Sequence, residues 1–278
     1  MSENQQVEQN GIIYLINEEE KTANIINYKS CDRIVFIPTS IKHNSSEYCI
    51  ISINKRAFDD SYLATIEFSK ESKLRIIEDH AFSGTSIKSI TIPSEVTFIG
   101  KFAFSYCKQL QHIEFSKESK LQIIDEDAFY KIPIESITIP SSVTVIGKHA
   151  FSDCKQLRHI EFSKESKLQI IEEYAFIDTS IESITIPSKV TDLREGWCGG
   201  TPKLTKIKIS SSNPCYCCHE EGIVIGKTSI EKSNYDCLVF CVRNIKNITI
   251  PNFIKHICSC SFNLSLIESI TIPSEVTF

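Results

Sequence analysis

The segment Ser89-Ile-Thr-Ile-Pro-Ser-Glu-Val-Thr97 recurs with one or no change at Ser136–Thr144, Ser183–Thr191 and Ser269–Thr277. The first three copies start 47 residues apart, at positions 89, 136 and 183. Self-similarity at a fixed period in this range specifies a stack of repeats, in which each unit buries its apolar face only against its neighbours. This overrides the one or two globular domains that 278 residues with 41% apolar content would otherwise suggest.

Each 47-residue unit divides into two coils. Their leading apolar residues are Leu63, Ile87, Leu110, Ile134, Leu157, Ile181 and Leu204, spaced alternately by 24 and 23 residues. The lead Leu/Ile-x-x-Ile-x-Ile/Phe alternates with strand period, so inward and outward residues can be assigned. A second signature, Ala-Phe, recurs at Phe58, Phe82, Phe104, Phe129, Phe151 and Phe176, with Ser-Phe at Phe262. One Phe per coil predicts a ladder of core rings. Gly100 and Gly147 share a phase with Asn54, which suggests a turn with positive φ there.

Ile92-Pro93, Ile99-Gly100, Ala103-Phe104 and Cys107, with Cys154 one unit on, fall in a pattern that closely resembles the leucine-rich repeats of the surface antigen BspA-like family. The resemblance covers roughly Arg33 to Phe278. It implies an α/β-type repeat solenoid: a right-handed leucine-rich repeat horseshoe with a parallel concave sheet and roughly ten coils of 23–24 residues. It also implies association with cell surfaces and host attachment, and it carries no catalytic residues. The expected organisation is a polar leader and capping hairpin over 1–31, repeats over 32–209, a β-hairpin insertion over 210–244, and repeats resuming over 245–278 and stopping mid-coil.

Thirty basic and 35 acidic residues give a net charge of −5, so no broad basic field awaits a phosphate backbone, and nucleic acid is not an expected partner. The start, Met1–Asn10, is polar and lacks the basic and apolar stretches of a secretory signal. No run of about 18 apolar residues is present to insert in a bilayer. Surface location is thus the expectation from resemblance, and a cytoplasmic location the alternative from the visible sequence.

Two segments break the repeat. Lys42–Glu47 reads as a loop by composition. Ser210–Asn244 contains two strand-like runs, from Gly222 and from Tyr235, and reads as a hairpin projecting from the stack.

Seven of the 12 cysteines crowd between Cys215 and Cys260. Cys215, Cys218, Cys237 and Cys241 are the candidate thiolates for tetrahedral zinc, although Cys237 and Cys241 stand about 13 Å apart if they lie on one strand. Cys107 and Cys154 share a phase two coils apart, beyond disulfide reach, and are expected in the core. No cofactor is implied, and no nucleophile, phosphate-loop or dinucleotide motif is present.

The outward strand positions define the face a partner would meet: Glu67, Thr91, His112, Glu114, Thr138, His159, Glu161, Thr185, Lys206 and Lys208, alternating with Thr65, Ser89, Ser136 and Ser183. His112/Glu114 and His159/Glu161 are two coils apart, about 10 Å, too far to share a metal. The stripe is polar and without aromatic anchors, which favours weak, multivalent or glycan-directed contact. The expected function is non-catalytic recognition or adhesion, with a protein or glycan ligand on host matrix or a cell surface. The alternatives are an intracellular protein-interaction scaffold and a truncated, non-functional family copy.

Overall fold

The structure, a computed structural model, describes residues 5–220 and 222–277. It is a β-solenoid of about 11 turns. No helix occurs among the described residues, so the α/β class expected from the resemblance is corrected to all-β.

Alternation in Ser-Ile-Thr-Ile and His-Ile-Glu-Phe produces strands whose second residue is buried and whose first and third are exposed. These four-residue strands, from Ile34–Ile37 and Thr65–Phe68 through to Lys206–Ile209, lie side by side as one parallel face. A second parallel sheet is built from two-residue strands: Ile76–Ile77, Phe98–Ile99, Ile123–Ile124, Val145–Ile146, Ile170–Ile171 and Asp192–Leu193. Between the two sheets the lead residues Leu63, Ile87, Leu110, Ile134, Leu157, Ile181 and Leu204 are all buried.

The third flank, where a helix would sit, is instead a pair of left-handed kinks in each coil. Positive φ recurs four residues apart, at Arg56 and Asp60, His80 and Gly84, Phe102 and Tyr106, Asp127 and Lys131, His149 and Asp153, and Tyr174 and Asp178. A non-glycine residue in this region costs roughly 1–2 kcal/mol and ends any α-helix. The offset comes from the next coil, through bonds such as His80 N–H to Lys101 O (2.8 Å) and Phe102 N–H to Glu126 O (2.9 Å). Helices some 10 Å across, set against strands about 4.8 Å apart, are what wedge a leucine-rich repeat into a horseshoe. That wedge is missing here.

The Gly100 and Gly147 expectation is also corrected. Neither has positive φ; a Cβ on Gly100 would lie 2.7 Å from Asp79 N, and one on Gly147 would lie 2.7 Å from Asp125 C. The glycines permit close approach of the preceding coil's backbone.

The Phe ladder is present as expected. Phe58, Phe82, Phe104, Phe129, Phe151 and Phe176 are buried, with successive centroids 5.1–5.5 Å apart and near-parallel planes. Tyr28 of the cap extends it at 5.2 Å from Phe58.

The cap itself is larger than a hairpin. Gln5–Gln9, assigned to a polar leader, pairs antiparallel with Ile12–Asn17, which pairs with Thr22–Tyr28; Val7 is buried. The start of that leader, Met1–Asn4, lies outside the described residues. The segment 42–47 is a hairpin rather than a loop: Ser40–His43 pairs with Ser46–Ile53 across Asn44-Ser45, both with positive φ, as a two-residue primed turn requires.

The insertion does not project. Tyr216–His219, Ile223–Gly226 and Cys237–Cys241 form a three-stranded antiparallel sheet, continued in parallel by His256–Ile257. Val224, Cys237, Val239 and Phe240 pack into the main core, whereas Ile223, Ile225, Leu238 and Cys241 pack into a second core with Ile248, Ile250 and Ile254. The insertion is a partition with apolar residues on both faces. Its unbroken apolar runs, rather than alternating ones, were the signal for that.

Candidate functional site

Alternation places one residue in two of every four-residue strand outward, and the ladder register turns these into two columns. Ile34 pairs with Thr65 and Phe36 with Glu67; Ser89 pairs with His112 and Thr91 with Glu114. Ser136 pairs with His159, Thr138 with Glu161, Ser183 with Lys206, and Thr185 with Lys208. Glu67, Thr91, His112, Glu114, Thr138, His159, Glu161, Thr185, Lys206 and Lys208 are all exposed, as the alternation predicts. The structure therefore brings the ten together as one surface.

The columns begin one coil earlier than the sequence reading placed them. Ile34 and Phe36 point outward and are 69% and 58% exposed, so the stripe has an apolar end that the polar inventory omitted. The Ile-x-Phe alternation at 34–37 was the available signal. It was obscured because the cap precedes it and no Leu lead marks the coil.

Elsewhere on the surface, three lysine–glutamate pairs join neighbouring coils: Lys101 with Glu126 at 3.0 Å, Lys120 with Glu95 at 2.8 Å, and Lys246 with Glu268 at 2.8 Å. Among the described residues, Glu67, Glu114, Glu161, Lys206 and Lys208 enter no such pair. Their carboxylates and ammoniums are free to meet a ligand.

At the C-terminal ends of these strands the face opens into three notches of about 510, 690 and 590 Å³. The middle one is lined by Glu114, Phe115, Ser116, Thr138, Pro140 and Ser141. The recurring Ser-Lys-Glu-Ser-Lys loops form one rim, each closed locally by a serine hydroxyl that accepts from the backbone two residues on, as in Ser119 to Leu121 at 3.3 Å.

The zinc candidates do not converge. Cys237 and Cys241 end one five-residue strand, Cys218 is exposed on Tyr216–His219, and Cys215 is buried at that strand's start. Among the described residues, no three His, Cys, Asp or Glu side chains are grouped closely enough to hold a metal. Cys237 instead meets the thiol of Cys258, just past the neighbouring strand His256–Ile257; hydrogen bonding between them and burial push the Cys237 pKa well up, and the same bond draws that of Cys258 down. Cys107 and Cys154 are buried, each donating its thiol to a carbonyl of an earlier coil, Phe82 and Phe129, at 3.1 Å. Burial pushes both thiols up to about 12.

Arg243, which sequence reasoning overlooked, is the largest fully buried side chain. Its guanidinium donates to the carbonyls of Cys198 (3.1 Å) and Thr201 (3.4 Å) and lies 4.5 Å over the Phe240 ring. It fastens the end of the insertion to the coil that precedes it. Among the described residues, no helix is long and apolar enough to cross a membrane.

The fold has solved counterparts. A leucine rich cell surface protein of Faecalibacterium prausnitzii superposes with a TM-score of 0.79 at 22% identity, covering 98% of this chain and 78% of its own. The pneumococcal vaccine antigen PcpA gives 0.75 at 23% identity over 99% and 72%. A leucine-rich repeat protein of Bacteroides ovatus gives 0.53 at 18% over 98% and 89%. At these identities the likeness is one of fold. No curated protein matches the chain. The BspA type leucine rich repeat region matches in 6 copies, over residues 29–158, 122–215 and 215–278. With the two-sheet coil, the Phe ladder and the Ile-Pro and Ile-Gly phases in place, the chain belongs to the BspA-type leucine-rich repeat family.

Proposed function

We propose that the protein is a non-catalytic recognition scaffold that binds a protein or glycan ligand on a host or cell surface through the four-residue-strand face. The observation that carries this reading is the ladder register that aligns outward Glu67, Glu114, Glu161, Lys206 and Lys208 with hydroxyl side chains on one exposed face, where no ion pair among the described residues engages their charges. Packing explains the inward Ile residues but makes no demand on outward Glu114, Glu161 or Lys208. Two structural counterparts, a cell surface protein and a vaccine antigen, support an exposed role.

The test is binding of fluorescently labelled protein to intact host epithelial cells and to immobilised matrix. Glu114→Lys with Glu161→Lys is expected to abolish binding while leaving thermal unfolding unchanged, because both residues are exposed. Binding that survives both reversals sinks the assignment to this face.

The 12 free thiols favour a second reading, a protein-interaction scaffold in a reducing compartment. Protease accessibility on intact cells separates the two. Digestion with a cytosolic marker spared supports the surface role, and protection until permeabilisation supports the internal one.

A further inference from the structure

The three notches are copies of one another. Glu114, Phe115, Ser116, Thr138, Pro140 and Ser141 line the middle notch, and the same six residue types stand 47 positions before and after each of them in the other two. The copies are also continuous. The first and second notches share Thr91 and Ser116, and the second and third share Ser163. They form one groove running across the strands, along the stack, with a step of two coils, about 10 Å.

The two-coil step has a structural cause. In the 23-residue coils the last strand residue is Ile92, Ile139 or Ile186, wholly buried; in the 24-residue coils it is Phe68, Phe115 or Phe162, only half-buried. A phenyl edge therefore enters the groove at every second coil, beside a carboxylate and several hydroxyls.

We propose that this groove binds a linear, uncharged polysaccharide laid along the stack, with one disaccharide in each notch. The inference rests on the reading of this face as the ligand-binding face. Hydroxyls that both donate and accept, a carboxylate that accepts from sugar hydroxyls, and a partly exposed ring are the groups that recognise a neutral sugar. The step of about 10 Å matches the advance of a β-1,4-linked disaccharide. An anionic polymer would meet a carboxylate in every notch, offset by Lys70 in the first and Lys117 in the second but by no lysine in the third. A polyproline-type peptide has a similar step but docks on grooves lined with broad aromatic faces, and here each ring offers only an edge.

The experiment is calorimetric titration with cello-, xylo-, manno- and chito-oligosaccharides of two, four and six sugars, alongside heparin and a Pro-Pro-Gly repeat peptide. At least one neutral series is expected to bind, with affinity rising at least about tenfold from two to six sugars as further notches engage. Glu114→Gln with Thr138→Val, in the middle notch, is expected to remove that gain for the hexamer and to lower the dimer's stoichiometry from three sites to two, with the melting temperature unchanged. No neutral binding, binding that does not grow with length, or preference for heparin or the peptide overturns the proposal. If no sugar binds or competes while the Glu114→Lys and Glu161→Lys variant still loses cell binding, the sugar inference alone fails. If cell binding survives those reversals, the face reading fails with it.

Discussion

Phe151 lies face to face between Phe129 and Phe176, at 5.2 and 5.5 Å, and is wholly buried. Because a coil has no core except its contacts with neighbours, the ring serves two interfaces at once. Phe151→Ala is therefore expected to destabilise the fold by about 3–5 kcal/mol, read as a lowered midpoint in denaturant. Arg243 fills the opposite role. Removing it leaves the Cys198 and Thr201 carbonyls without their guanidinium donor in a site closed to water. Arg243→Ala is expected to cost about 3 kcal/mol by chemical denaturation, with the loss concentrated at the junction with the insertion. The two residues differ in legibility. The Phe recurs at a fixed phase and declares itself in the sequence. The Arg occurs once, and its partners are 42 and 45 residues away.

At the scale of elements, the insertion sheet has its own pH dependence. Burial raises the pKa of Asp236, but the Lys232 ammonium, with the Thr228 N–H and hydroxyl, overcomes this and holds it down to about 2. A depressed carboxylate stabilises the fold fully above the ordinary aspartate pKa, and that contribution is lost as pH falls from about 4 towards 2. Near-UV circular dichroism of the wild type is expected to report loosening of this sheet across that window. Asp236→Asn is expected to weaken the sheet already at pH 7 and to flatten the acid response. The same scale shows why the helix expectation failed. The residues with positive φ include His80, Phe102, His149 and Tyr174, none of which announces a left-handed turn. Their backbone N–H groups donate to the following coil, so the conformation is fixed by a contact 21 to 24 residues away, as between Phe102 and Glu126, rather than by local preference.

Over the whole molecule, the insertion divides the apolar interior into a long core, from the cap to Val242, and a smaller one around Ile248, Ile250 and Ile254. Stability in a stack is a sum over neighbouring interfaces, so the smaller compartment is expected to open first. Amide hydrogen exchange read by mass spectrometry should show the coils at 247–271 exchanging well before those at 89–186. Uniform protection would mean that the partition transmits cooperativity fully. The sequence by itself determined the coil length, the inward Ile and Phe ladders and the ten outward residues of the candidate face, because those follow from strand alternation and a repeat that every coil restates. Only the tertiary structure decided that the third flank is kinked rather than helical, that the insertion is buried on both sides, that the zinc candidates stay apart, and that three notches join into one groove. Each of these depends on what the neighbouring coil supplies: a backbone acceptor, an apolar surface, a competing thiol or a shared serine. Such contacts lie outside the reach of a local sequence window.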